Sequence, residues 1–160
     1  MFWGDLWYGG HTGKAIERPG TQWFLAEGAA NSFFSTFVLL ANPGTPTASA
    51  TVTFLLEPSG TITRRYDVPP NSRLTIYTNQ IPELLGYAFS THVTSTQPIA
   101  VERAMYFSNG GRVWNGGHEA AAVPAAQTSW YVAGGATGRF FSAFLLGAPR
   151  SFRMPTPHPL

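Results

Sequence analysis

The sequence holds 160 residues, of which 44% are hydrophobic and 14% aromatic, so a packed core is expected and global disorder is excluded. Charged residues make up only 11%, the net charge is +2, and the basic residues are scattered, without the basic stripe that binds nucleic acid. There is no cysteine for a disulfide or thiolate, no apolar run of the roughly 18 residues that a membrane span needs, and no visible signal peptide.

Seven strands are predicted, each a run of apolar and β-branched residues bounded by turn residues. They span residues 21–26, 34–42, 49–57, 61–68, 73–78, 87–95 and 99–107. A helical turn over 80–86 ends at Gly86, residues 96–98 split the last two strands, and 108–118 form a glycine-rich hairpin. This pattern predicts an all-β fold, an immunoglobulin-like antiparallel β-sandwich of about seven strands. A closed barrel is the alternative.

The two ends of the sequence repeat one another. Trp-Tyr-Gly-Gly-His at 7–11 returns as Trp-Asn-Gly-Gly-His at 114–118, and Trp23 returns as Trp130. The paired histidines and the paired tryptophans are each displaced by 107 positions, which is the size of a domain rather than of a solenoid repeat. The chain is therefore interpreted as one complete copy of a repeat, flanked by parts of two others.

This interpretation predicts the domain organisation. The segments are residues 1–20, the tail and linker of a preceding repeat; 21–118, the complete sandwich; 119–128, a linker; 129–146, the first strands of a following, truncated repeat; and 147–160, an aberrant, disordered tail. Partial copies carry unpaired, apolar strand edges. Neighbouring repeats, or a second copy of the chain that exchanges edge strands, are therefore the expected partners, and a homo-oligomer is the expected state.

Four strings together resemble a known bacterial repeat. They are WFLAEG at 23–28, FSTFVLLANP at 34–43, VPPNSR at 68–73 and PIAVERAMY at 98–106. The resemblance covers about residues 1–146, and the family occurs in long, multi-copy exported or cell-surface proteins. It implies an immunoglobulin-like module in an extracellular array, and it implies no catalytic residues. The second copy has Gly134-Gly135 where the first has Glu27-Gly28, so the glutamate is not present in every copy.

The aromatic glycine loops are the main binding candidates. Trp7, Tyr8 and His11 in one copy, and Trp114 and His118 in the next, place rings with polar groups beside flexible backbone. Such rings suit a surface that stacks on sugars or contacts another protein. The alternative is that each tryptophan packs into the seam between consecutive domains and fixes their angle.

Glu102 and Arg103 are an unusual charged pair within an apolar strand. Adjacent strand residues face opposite ways, so these two side chains do not pair with each other, and one of them points inward or sits on a bulge. The expected arrangement is an ion pair between Glu102 and an arginine across the sheet. The candidates are Arg64, Arg65 and Arg73.

Catalysis is the weaker alternative. Glu102 as an acid, with Glu57, Asp67 or Glu83 as the second carboxylate, or else His118 as a base, would suit a small glycosidase or esterase. No spacing in the sequence selects a pair. One histidine per copy is too few for a zinc site, which needs three or four ligands, so neither a metal nor a cofactor is predicted.

The sequence thus favours a non-catalytic structural or adhesive module of a bacterial surface array, extracellular or at the cell surface. A carbohydrate-binding module that uses the loop aromatics is the first alternative, and a small hydrolase is the second.

Overall fold

The structure of the protein is a computed structural model, and it describes residues 2–3, 6–7, 11, 13–108 and 116–130. Nine strands lie within these residues. They are β1 (Phe2–Trp3), β2 (Leu6–Trp7), β3 (Gly20–Leu25), β4 (Phe34–Asn42), β5 (Ala48–Leu56), β6 (Thr61–Val68), β7 (Ser72–Tyr77), β8 (Phe89–Phe107) and β9 (Gly116–Ala121). Strands β3 to β9 form one antiparallel sheet that curls into a sandwich-like half-barrel, and β1 and β2 pair separately. The predicted all-β fold is confirmed.

Strand β8 belongs to two layers. Its residues 89–95 lie between β5 and β3, which gives layer A the order β6, β5, β8, β3. Its residues 100–107 lie between β4 and β9, which gives layer B the order β7, β4, β8, β9. One strand therefore joins the two layers that enclose the core.

The predicted break at residues 96–98 is wrong, because β8 runs through them without ending. The register explains why a proline is tolerated there. The pairing with β5 ends at Ser95, and the pairing with β4 begins at Ala100. Pro98 lies in the gap between these partners, where its missing N–H leaves no ladder bond unmade with either strand.

The core is built by the alternation of strand residues. In β5, Val52 and Phe54 are fully buried, as the sequence predicts, and their neighbours Thr51 and Thr53 face outward. Val38 and Leu40 of β4 and Val93 and Val101 of β8 complete a core that both layers share. Period-two alternation therefore places an apolar side chain inward at every second position.

Buried polar side chains fasten the turns to this core. Asn42, 1% exposed, donates to the carbonyls of Pro46, Val68 and Pro69 and accepts from the N–H of Gly44. One side chain thus ties the turn after β4 to the corner between β6 and β7. Because its donors and its acceptor are all used, its burial carries no desolvation penalty for an unmade bond.

The predicted helical turn at 80–86 is two short 3-10 turns, Thr78–Gln80 and Pro82–Leu84, and Gly86 follows with a φ of 89°. No helix in the described part of the chain is long and apolar enough to span a membrane.

Strand β9 extends past the predicted end of the complete repeat at 118. Residues 119–121, assigned above to a linker, pair with β8, and Val123 then bridges to Phe24 of β3. The region from 116 to 123 thus pairs first with β8 in layer B and then with β3 in layer A. The predicted hairpin at 108–118 falls largely on residues 109–115, outside the described residues.

Of the segment 129–146, predicted to begin a following repeat, only residues 129 and 130 are described. Trp23 is 3% exposed, and its Nε1 donates to the carbonyls of Ile99, at 2.9 Å, and of Gly20, at 3.1 Å. Trp130, its counterpart in the repeat, is 53% exposed, so the two tryptophans have different surroundings. Residues 131–160, including the predicted tail at 147–160, lie outside the described residues.

We expect Trp23→Phe to lower the free energy of unfolding by about 1–3 kcal/mol, because the buried carbonyl of Ile99 loses its donor and the core loses volume. Trp130→Phe is the matched control and should change it by less than about 0.5 kcal/mol. Urea denaturation followed by circular dichroism measures both. Equal effects would show that the two side chains are packed alike.

Candidate functional site

The structure brings together two predicted site residues that lie 107 positions apart. The ring centroids of His11 and His118 are 4.3 Å apart, and the rings meet edge to face at 72°. Both side chains are exposed. These histidines hold the same place in the two Gly-Gly-His strings of the sequence, and the structure brings them into contact.

The glycines before His118 shape its strand. Gly116 and Gly117 lie under the rings of Phe107 and Tyr106 of β8, and a Cβ on either glycine would collide with those rings. The Gly-Gly-His string therefore lets β9 pair closely with the aromatic end of β8. His118 is directly opposite Met105, which places it on the inward-facing side of layer B, together with Arg103.

Residues before β3 cross the free edge of β9. His11 meets His118, which lies on the inward-facing side, whereas Gly13 lies against Glu119, whose side faces outward. A Cβ on Gly13 would be 2.8 Å from a carboxylate oxygen of Glu119, so the absence of a side chain allows this close approach. We name these four residues, His11, Gly13, His118 and Glu119, the seam.

A buried ion pair lies behind the seam. Arg103, 5% exposed, donates from Nη1 to Oε2 of Glu27 at 2.5 Å and to the carbonyl oxygen of Glu27 at 3.3 Å. Glu27 follows the end of β3, so the pair ties the start of the β3–β4 connection to layer B. The Nε of Arg103 is also buried and has no hydrogen-bond partner among the described residues.

The predicted ion pair of Glu102 is wrong. Arg103 is the inward residue of the two, and Glu102 points outward from layer B, opposite Leu39 of β4. Arg64 instead pairs with Glu83, and no ion pair of Glu102 occurs within the described residues. Alternation predicted that one of the pair points inward, but the identity of its partner depends on the loop after β3.

Charges around the seam act on His118. Its pKa lies below the ordinary histidine value, first because the protein atoms around the accessible ring still remove part of the water that would stabilise the imidazolium, and then because Arg103 and His11 are close. Glu27 and Glu119 act in the opposite direction. The neutral ring is therefore the favoured form, and it suits contact with a second imidazole.

The remaining predicted site residues are not brought together. Trp7 lies in β2, with its backbone alone described, and Tyr8 and Trp114 fall outside the described residues. Glu57 follows β5 and its N–H bonds the carbonyl of Ala88, beside the start of β8, whereas Glu102 lies near the other end of that strand. A two-carboxylate site needs its acids within roughly 5–10 Å, which this placement does not provide. Within the described residues, no three His, Asp or Glu side chains are grouped to hold a metal ion.

Comparisons with known proteins give the fold. No protein-family model and no curated protein matches the sequence. The structure is similar to the crystal structure of Thermotoga maritima 1070, with a TM-score of 0.60 and 16% identity over 66% of this chain and 94% of that one. It is less similar to the Anabaena sensory rhodopsin transducer, with a TM-score of 0.48 and 21% identity over 56% and 86% of the two chains.

We expect Glu27→Gln to lower the free energy of unfolding by about 1–3 kcal/mol, because the buried guanidinium of Arg103 loses its carboxylate. The 38% exposure of Glu27 keeps the loss below that of a fully buried pair. Glu17→Gln is the control, since its pair with Lys14 is exposed, and it should cost less than about 0.5 kcal/mol. Chemical denaturation measures both, and equal losses would contradict a special contribution of the buried pair.

Proposed function

We propose that the chain is a non-catalytic structural module of a bacterial surface array, in which each repeat fixes the orientation of its neighbour. The observation that carries this proposal is the contact between His11 and His118, equivalent residues of successive copies. A flexible linker would leave the two copies independent. The seam instead lays the end of the preceding copy across the edge of β9 in the complete copy.

The composition of the seam supports this function. It combines an imidazole pair with a glycine that a carboxylate approaches closely, and the ion pair of Arg103 and Glu27 lies beneath it. The segment that follows continues inward, because Ile16 packs against the core. Contacts on both faces of β9 and in the core restrain the direction in which the preceding copy leaves the domain.

The seam also covers the exposed edge of strand β9. An uncovered edge such as that of β9 offers unpaired backbone groups to other chains. In the proposed array, the linker from the preceding repeat covers this edge, so each repeat protects the next. Neighbouring repeats are then the first partners of the module, and edge-strand exchange between copies is the alternative route for the same surface.

Lys14 is the only lysine of the sequence, so a lysine-specific protease cuts the chain once, within the segment of the seam. We expect this cut to be at least about tenfold slower than in a peptide of residues 11–20, because local opening must come first. His118→Ala should raise the rate severalfold. Mass spectrometry over time measures the cut.

The control for that experiment is His92→Ala, the same change in layer A, where the ring stacks on Phe24 and not on the seam. Its cleavage rate should equal that of the unmodified chain, with melting temperatures confirming that both variants are folded. Cleavage of the unmodified chain at the rate of the peptide would contradict a rigid junction.

A carbohydrate-binding module is the second candidate function, and the exposure of both histidine rings favours it. Two exposed rings in contact form one surface. In the sequence, Trp7 and Trp114 each stand four positions before one of these histidines, and Tyr8 follows Trp7. Stacking on a sugar uses such rings.

For this second candidate we expect binding on a glycan array that Trp114→Ala abolishes and that Trp130→Ala leaves unchanged. Binding that survives Trp114→Ala, or no signal across neutral and acidic polysaccharides, would remove the candidate and leave the structural module.

A further inference from the structure

The seam changes the number of histidines that one place in the fold offers to a metal ion. Each Gly-Gly-His string carries one histidine, and a single imidazole does not make a metal site, since such sites need several ligands. The structure joins the two strings, because the ring centroids of His11 and His118 are 4.3 Å apart. The seam therefore presents two imidazoles together.

The separation of these rings suits two ligands of one ion. A ligating imidazole nitrogen lies about 2.0–2.1 Å from the metal, which puts the ring centre roughly 3.2 Å from it. Two rings that occupy adjacent positions at a right angle then have centres about 4.5 Å apart. The observed separation is close to this value. Because the rings meet edge to face, rotation about the side-chain bonds is needed to direct one nitrogen of each toward a shared ion.

Both rings are accessible, and one favours the protonation state that binds metal. The side chains of His11 and His118 are exposed, so they are free to rotate and an ion reaches them without any opening of the core. A histidine ligates a metal only as the neutral imidazole. Desolvation by the surrounding atoms, and then the charge of Arg103, lower the pKa of His118. At neutral pH this ring therefore offers a lone pair instead of a second proton.

The charges around the pair do not exclude a cation. The guanidinium of Arg103 would repel one, but it is buried and the carboxylate of Glu27 lies on it at 2.5 Å. Glu119 adds a further negative charge at the position after His118, and its carboxylate lies against Gly13. These three charged groups together carry one net negative charge.

The number of protein ligands favours copper among the common divalent ions. Within the part of the chain that the structure describes, no third His, Asp or Glu completes a group of metal ligands. The remaining positions around an ion at this pair fall to water. Such a set of nitrogen and oxygen ligands suits the tetragonal geometry of Cu²⁺ and Ni²⁺, and Cu²⁺ is bound most tightly in the first-row series.

We propose that His11 and His118 form a two-histidine binding site for Cu²⁺, and that the bound ion stabilises the seam. The ion replaces a contact between two neutral rings by two metal–nitrogen bonds. It therefore holds the segment that contains His11 more firmly against β9. The inference rests on the proposed function and deepens it, since the stability of the junction then depends on a metal.

Calorimetric titration of the full chain with Cu²⁺ alone tests the site. We expect one tightly bound ion per chain and at least about tenfold weaker binding for His11→Gln and for His118→Gln, because the second nitrogen binds intramolecularly. His92→Gln and His158→Gln change the other two histidines of the sequence and should leave the affinity unchanged. Ca²⁺, which prefers oxygen ligands, should not bind. Circular dichroism melts confirm that the variants are folded.

Cleavage at Lys14 separates this inference from the proposed function. The cleavage rate with a chelator present tests the seam alone, and a further slowing by at least about threefold with one equivalent of Cu²⁺ tests the effect of the ion. His118→Gln with Cu²⁺ is the control for a direct effect on the protease and should show no such slowing.

Two outcomes overturn the metal site and leave the seam intact. One is slow cleavage in chelator without any binding of Cu²⁺. The other is slow cleavage with equal Cu²⁺ affinities for the unmodified chain and His118→Gln, which would show an adventitious ion only. Cleavage at the rate of the peptide, with and without Cu²⁺, overturns both the site and the seam.

Discussion

The whole structure depends on the continuity of β8. A single strand of 19 residues, Phe89–Phe107, has hydrogen-bonded partners on both sides in each layer. A shift in its register would therefore break the strand pairing of both layers at once. The point of transfer is fixed from outside the strand. The indole of Trp23 donates to the carbonyl of Ile99, and Gly20 pairs with the same residue. Because β3 and β8 are locked together there, the strand changes partners without losing the alternation that buries Ile99 and Val101.

The continuous alternation along β8 also determines which of its charged side chains points into the core. The alternation that buries Val101 also points Arg103 inward, where a guanidinium is tolerated only with a partner. Glu27, at the end of β3, supplies the carboxylate, although β3 pairs with the other half of β8. The ion pair therefore joins the loop of layer A to the strand of layer B. The seam forms beside this pair, because β9 follows β8 in register and presents His118 next to Arg103.

The local residue pattern was sufficient to predict where most of the strands lie, but it was insufficient to predict which strands pair with each other. The alternation in Phe34–Asn42 and Thr61–Val68 gives their boundaries as predicted, since turns of Pro, Gly and Asn end both runs. A proline at 98 reads locally as a break, and only the gap between β5 and β4 explains its place within a strand. Residues 119–121 read as an alanine-rich linker, because their strand is specified by β8 and not by β propensity.

In the candidate site, too, the sequence identified residues but did not predict their contacts. The repeated Gly-Gly-His string identified His11 and His118 as equivalent positions, but equivalence in sequence does not predict that the two side chains touch. Their contact depends on the path of residues 11–13 beside β9. The sequence marked Glu102 as an unusual charge in an apolar strand, whereas the buried charge is that of its neighbour Arg103.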